Sequence, residues 1–261
     1  MVKDVLFKLV MLCMVSKSFE LFASISTPFS NEIEAVIFDC DGVLVDTEYL
    51  KFLGWQKALA SLNIELTIEE YKAVAGHSSK KIIEQLQGMK GIVIPEEAIP
   101  LRREEYRKLQ ELGVAPIRET VEFARYLSQN KVAWGIKLGL ASSASTDEIL
   151  FNLKQIGLDQ AFDLIISGTD DLNDYKDLEG KNKPKPYIYL EASKRLNIAP
   201  DRCLVIEDSE AGIEAASKAG MVTIAIPNQI TIEHNFSMAN KVIGSISELP
   251  ISSKHCYNAR D

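Results

Sequence analysis

Short runs of β-branched and apolar residues recur along this chain, spaced so that a helix fits between each run and the next. That rhythm restricts the fold more than any other feature. The run Ile33-Glu34-Ala35-Val36-Ile37-Phe38 stops at Asp39 and reads as a buried strand of the parallel type. Similar runs follow at residues 135–141, 162–166, 203–206 and 222–226, with a weaker one at 241–243. Helical signals fill the intervals. Ser145-Thr146-Asp147-Glu148 has the form of a capping box, opening a helix that Gly157 closes. Residues 209–219 start on a serine and are followed by Gly220. Such alternation predicts an α/β fold, a doubly wound parallel sheet with helices on both faces.

Residues 47–115 break the rhythm. Thr67-Ile68-Glu69-Glu70 is another capping box, and residues 101–112 form a charged amphipathic helix ended by Gly113. The stretch shows helix after helix and no strand, and it lies between the first and second strands. The expected organisation is therefore an α/β core of residues 31–46 and 116–250, with an all-α cap of residues 47–115 inserted in it. Its two connections, near Thr47 and near Ala115-Pro116, are the expected hinges for closure over the core.

At 261 residues, 46% of them hydrophobic and 25% charged, the chain can bury a substantial core. Its formal net charge of -8 gives no footprint for nucleic acid, so an anionic substrate must be met by local groups. Cys13, Cys40, Cys203 and Cys256 form no metal or disulfide pattern, which fits a reducing compartment. In residues 1–30, Lys3 precedes an apolar run and Ala23-Ser24-Ile25-Ser26 could be cut by a signal peptidase. Lys8 interrupts that run, Asp4 has the wrong sign for a signal peptide, and the run is too short for a typical membrane span. The expectation is a cytoplasmic protein with no membrane contact, with export as the alternative if residues 1–26 act as a signal. Residues 251–261 read as a tail.

Ligands of open parallel sheets gather at the carboxyl ends of the strands. Four such places here carry groups suited to phosphate chemistry: Asp39-Cys40-Asp41-Gly42, Ser142-Ser143, Lys183-Pro184 and Glu207-Asp208-Ser209. Each has an ordinary reading. The first could be a turn, Ser142 a strand-end or capping residue, Lys183 a solvated loop lysine and Glu207-Asp208 a helix cap. Together and in order they describe a nucleophile, a hydroxyl donor, a lysine and an acidic cradle for a hard cation such as Mg2+. Asp39 can form an aspartyl-phosphate, and Asp41 can protonate the leaving oxygen and later activate water. Gly42 permits a tight turn that brings main-chain N–H groups toward the phosphate.

The segments FDCDGVLVDTE, LASSAS, NKPKP and VIEDSEAGIEAASKAGM resemble the four ordered motifs of the haloacid dehalogenase superfamily. More narrowly, they resemble its β-phosphoglucomutase-like and phosphoglycolate-phosphatase-like branch, over about residues 32–246. The resemblance implies a Rossmann-like core with a helical cap, Asp39 as nucleophile, Asp41 as general acid/base, and Ser142 and Lys183 as phosphate ligands, with Ser143 beside them. It implies Mg2+ held by Asp39, the carbonyl of Asp41 and Asp208, with Glu207 close by. The chain departs from the pattern at Tyr187, where an aspartate is common, at Arg118, where a glycine is common, and in a long loop over residues 169–182.

The expected activity is hydrolysis of a small phosphate ester, a sugar phosphate or similar metabolite, by a monomer. The alternative is a β-phosphoglucomutase-type mutase, and a lesser one is a non-catalytic binding protein on the same fold. Mutases of this branch carry a cap histidine and arginine for a second phosphate; the corresponding positions here are Lys51 and Ser79, with His77 and Lys80 nearby. Substrate choice is expected around Lys51, Trp55, His77 and Lys80.

Overall fold

The computed structural model describes residues 33–249. The leader and tail read from the sequence, with Cys13 and Cys256, lie outside these residues. The main sheet has six strands in the order β5-β4-β1-β6-β7-β8. They are β1 (Ala35–Phe38), β4 (Lys137–Ser142), β5 (Leu164–Ser167), β6 (Cys203–Glu207), β7 (Val222–Ala225) and β8 (Lys241–Val242). All neighbouring pairs are parallel, and β1 lies between β4 and β6, where the strand order reverses direction. That placement sets the end of β1 at the crevice where ligands of such sheets bind.

Both faces of the sheet are covered, which follows from the period-2 alternation of its strands. Val36 and Phe38 of β1 join Leu138, Leu140, Leu204 and Ile206 in one cluster, against α5 (Arg118–Trp134) and α6 (Thr146–Gln155). Ala35 and Ile37 face the other way with Cys203 and Val205, against α7 (Tyr187–Leu196) and α8 (Glu210–Lys218). Burying each of the larger side chains contributes roughly 1.5–3 kcal/mol, so the central strands are anchored on both sides.

Between β1 and α5 the chain forms four helices: α1 (Glu48–Ser61), α2 (Ile68–Lys72), α3 (Ser79–Lys90) and α4 (Ala98–Glu111). They share a hydrophobic cluster of their own that includes Phe52, Trp55, Leu59, Tyr71 and Leu86. The links to this helical block are β2 (Val45–Asp46) and β3 (Ala115–Pro116), which pair with each other antiparallel. Chain entry and exit therefore lie side by side.

The Thr67–Glu70 capping box forms, with Thr67 accepting from the Glu70 N–H and Glu70 from the Thr67 N–H. The one expected at Ser145 does not, because Ser145 makes no side-chain capping bond. Instead Asp170, in the turn after β5, accepts the Thr146 N–H at 2.7 Å. A carboxylate from a neighbouring loop thus replaces the local hydroxyl at the start of α6. α4 begins at Ala98, earlier than the expected residue 101, because Pro100 sits in its first turn, where a missing N–H costs nothing.

Candidate active site

The turn that ends β1 is built by its own backbone. Asp39 donates its N–H to Ile206 O, Gly42 to Val45 O, and Leu44 and Val45 both to Cys40 O. Gly42 has φ 82°, and a β-carbon there would overlap the Asp208 carboxylate. The Gly42 N–H is thus committed to Val45, and what this glycine supplies is room for Asp208.

Asp39, Asp41, Ser142, Lys183, Glu207 and Asp208 converge at the carboxyl end of the sheet, all of them buried. Lys183 Nζ lies 2.6 Å from Asp39 Oδ1, 2.6 Å from Glu207 Oε1 and 3.2 Å from Ala141 O. Burial alone would lower the Lys183 pKa, but the Asp39 and Glu207 carboxylates hold it well above its ordinary value. Asp39 is pushed up to about 7, mainly by burial, against the pull of Lys183 and with the push of Glu207 and Asp41. Asp41 moves the other way. Burial would raise it, yet Lys51 and the Thr47 hydroxyl outweigh that and hold it below the ordinary value. Thr47 Oγ1 donates to Asp41 Oδ1 at 2.5 Å, Ser142 Oγ donates to Oδ2 at 3.3 Å, and Lys51 Nζ stands 3.4 Å from Oδ2. Thr47 precedes α1 with a helical backbone (φ -102°, ψ -9°) and makes no capping bond, while its hydroxyl donates to Asp41.

Glu207 is saturated. Its oxygens accept from Lys183 and Tyr189 OH on one side, and from the Asp208 N–H, Ser209 N–H and Ser209 hydroxyl on the other. Space for this carboxylate comes from Gly212 in the first turn of α8, where a β-carbon would overlap it. Neither Tyr189, 18 residues from Glu207, nor the nearby pairs Thr47–Asp41 and Gly212–Glu207 stood out in the sequence, because each contact exists only once the turns at the strand ends have formed.

Asp39, Glu207 and Asp208 can each present an oxygen within 4.8 Å of the others. Asp208 is pushed well above its ordinary pKa by burial, then by Glu207, Glu48 and Asp39. Lys51 offsets this crowding only in part, and among the described residues Asp208 makes no ion pair, so Asp39 and Asp208 fit a cation. An all-oxygen set with no histidine or cysteine suits Mg2+ rather than zinc.

These groups open into a cavity of about 1210 Å³ whose far wall is the helical block. Lys51, Trp55, His77 and Lys80 line it, as do Ser143 and Ser79. His77 is half-buried with Nδ1 3.3 Å from Ala75 O, whereas Lys80 and Ser143 are exposed. The wall also holds Arg102 and Tyr106 of α4, with the guanidinium 4.7 Å from the tyrosine ring centroid. Sequence reasoning passed over Arg102 as one charge among many on an amphipathic helix; its spacing of four from Tyr106 was the available signal. Thr169, Glu179, Gly180 and Asn182 of the long loop border the same space.

Residues 36–226 match the family model described as haloacid dehalogenase-like hydrolase. The chain is 34% identical over 224 residues to a putative phosphatase, YhcW, of Bacillus subtilis, covering 84% of this chain and 95% of that protein. It is 33% identical to a phosphorylated carbohydrates phosphatase of Thermotoga maritima, over 74% of this chain and 84% of that one. Crystal structures of CbbY from Rhodobacter sphaeroides, one with phosphate and one with xylulose-(1,5)bisphosphate, superpose with a TM-score of 0.70 at 27% identity, covering 84% of this chain and 96% of CbbY. The chain therefore belongs to the haloacid dehalogenase-like hydrolases, and is an enzyme of their phosphatase and phosphomutase kind.

Proposed function

We propose that this enzyme is a Mg2+-dependent phosphatase that hydrolyses a small phosphate ester, a sugar phosphate or similar metabolite, through an aspartyl-phosphate on Asp39. The observation that carries the reading is the Asp39–Lys183 contact of 2.6 Å beside Asp208 and Asp41, at the floor of one cavity.

Asp39, Asp208 and the main-chain carbonyl of Asp41 would hold the ion, with Glu207 behind them as the anchor of Lys183. The chemistry supplied by bound Mg2+ is neutralisation of the clustered negative charge, so that a carboxylate can approach an anionic phosphate. Lys183 and Ser142 receive the non-bridging phosphate oxygens. Asp39 attacks phosphorus in line; the new bond is Asp39 Oδ to phosphorus, and the bond broken joins phosphorus to the ester oxygen. Asp41 gives its proton to that oxygen, then takes one from the water that cleaves the aspartyl-phosphate. Lys51 and Thr47 hold Asp41 anionic, which suits the second step. An arriving anionic phosphate favours its protonated form, which suits the first.

The wall formed by His77, Lys80 and Arg102 suits a second anionic group on the substrate, in keeping with the bisphosphate seen in CbbY. The same wall would serve a phosphomutase, which is the second reading. The non-catalytic reading gives way to the family assignment and to the presence of Asp39, Asp41 and Lys183 at one site. Among the described residues no helix is long and apolar enough to cross a membrane, and Cys40 and Cys203 are unpaired thiols. A cytoplasmic monomer acting on a soluble metabolite completes the proposal.

Product analysis on a panel of sugar phosphates with Mg2+ tests it. Free phosphate supports hydrolysis. Isomerised sugar phosphate with little phosphate released would replace it with the mutase reading.

A further inference from the structure

The loop that follows β7 reaches back into the active site and touches the helical block on the way. Asn228 donates from Nδ2 to Asp208 Oδ2 at 2.7 Å, and among the described residues it is the side chain that does so. Its own geometry is fixed from several directions. Asn228 Oδ1 accepts from the N–H groups of Ile230 at 2.9 Å and Thr231 at 3.2 Å, and its N–H donates to Thr231 Oγ1 at 3.0 Å. Two residues on, Ile230 is buried in the hydrophobic cluster of the helical block. Further along, His234 bridges the Glu210 N–H, at 3.3 Å from Nδ1, and the Lys72 carbonyl, at 3.3 Å from Nε2. The loop is thus pinned to both α8 and the helical block.

The two acidic neighbours are handled differently. Glu207 is neutralised by a lysine and spends both oxygens on donors. Among the described residues the Asp208 carboxylate accepts from one neutral amide, which fixes its rotamer while leaving its charge for a cation. A β-carbon at Gly42 would lie 3.0 Å from Asn228 Nδ2, so the turn after β1 closes tightly over this contact.

We infer that Asn228 is a positioning residue for the metal site: its side-chain amide orients the Asp208 carboxylate so that the remaining oxygen is presented to Mg2+. The inference rests on the Mg2+-dependent reading above. Partners of this kind change metal affinity by about 10–100-fold when removed.

The test is isothermal titration calorimetry of MgCl2 into the full chain, with steady-state kinetics in parallel. Asn228→Ser keeps a short acceptor for the turn but loses the amide donor. It is expected to weaken Mg2+ binding at least tenfold, with kcat at saturating Mg2+ within about threefold of wild type. Asn228→Ala is expected to lose as much affinity, so either variant that folds decides the question. Thr231→Val disturbs the same turn without touching the donor, and is expected to bind Mg2+ within about twofold of wild type. Wild-type affinity in the Asn228 variants would overturn the inference. So would an equal loss in Thr231→Val, which would make the effect one of loop structure. Absence of Mg2+ binding to the wild-type chain would instead sink the Mg2+-dependent reading on which the inference stands.

Discussion

Lys183 Nζ stands 2.6 Å from Asp39 Oδ1, and both side chains are buried at the floor of the cavity, so solvent screens this ion pair only weakly. Glu207 makes it a triad at the same distance. Replacing Lys183 with Met leaves two buried carboxylates without their counter-charge, and breaking buried pairs of this kind costs about 3–5 kcal/mol. The expected result is a Lys183→Met protein destabilised by that order in urea titrations at pH 7. Phosphatase activity should fall at least about a thousandfold, since the same ammonium would meet the phosphate. Wild-type stability in this variant would show that the triad does not persist in solution.

Gly212→Ala reverses an ordinary expectation. Alanine in a helix interior is favoured over glycine by about 1 kcal/mol. Here the added methyl would overlap the Glu207 carboxylate, which five donors hold in place. The expected outcome is a lowered melting temperature with reduced activity, read by calorimetry and phosphate release. A raised melting temperature would mean that Glu207 is not anchored as described.

Asp163 ties the start of β4 to α5, accepting from the Leu138 N–H at 2.8 Å and from Lys131 Nζ at 2.7 Å. Burial by itself would raise its pKa, but these bonds hold it below the ordinary 3.8. A carboxyl whose pKa is depressed by folding stabilises the fold above its unfolded value, and that contribution fades as pH falls through the folded value. The advantage of wild type over Asp163→Asn, roughly 1 kcal/mol, should therefore be level at neutral pH, begin to fade as pH falls below the ordinary 3.8 and vanish only below the lower folded value. Urea midpoints from pH 3 to pH 7 would show it; an advantage that grows on acidification would contradict the assignment.

Much of the site was legible because its parts sit where an α/β sheet ends its strands. Asp39, Ser142, Lys183 and Asp208 come from four separate segments, and reading each as a strand end or following loop was enough to bring them together. The helical block was legible from a missing period-2 pattern. What escaped depends on side-chain contacts that exist only after the turns and loops have folded. Thr47, expected only as a hinge, gives its hydroxyl to Asp41, Gly212 leaves the room that the Glu207 carboxylate fills, and Asn228 lies in a loop with no pattern of its own. The failed capping box at Ser145 has the same cause, since Asp170 reaches the helix start first.

The central claim is that Asp39 carries the reaction with the help of Mg2+, and the most direct test is phosphate release by wild type and Asp39→Asn, each with Mg2+ and with EDTA. The account predicts release by wild type with Mg2+, and at least about a ten-thousandfold loss both in Asp39→Asn and on chelation. Phosphate release by Asp39→Asn at a rate near that of wild type would contradict it.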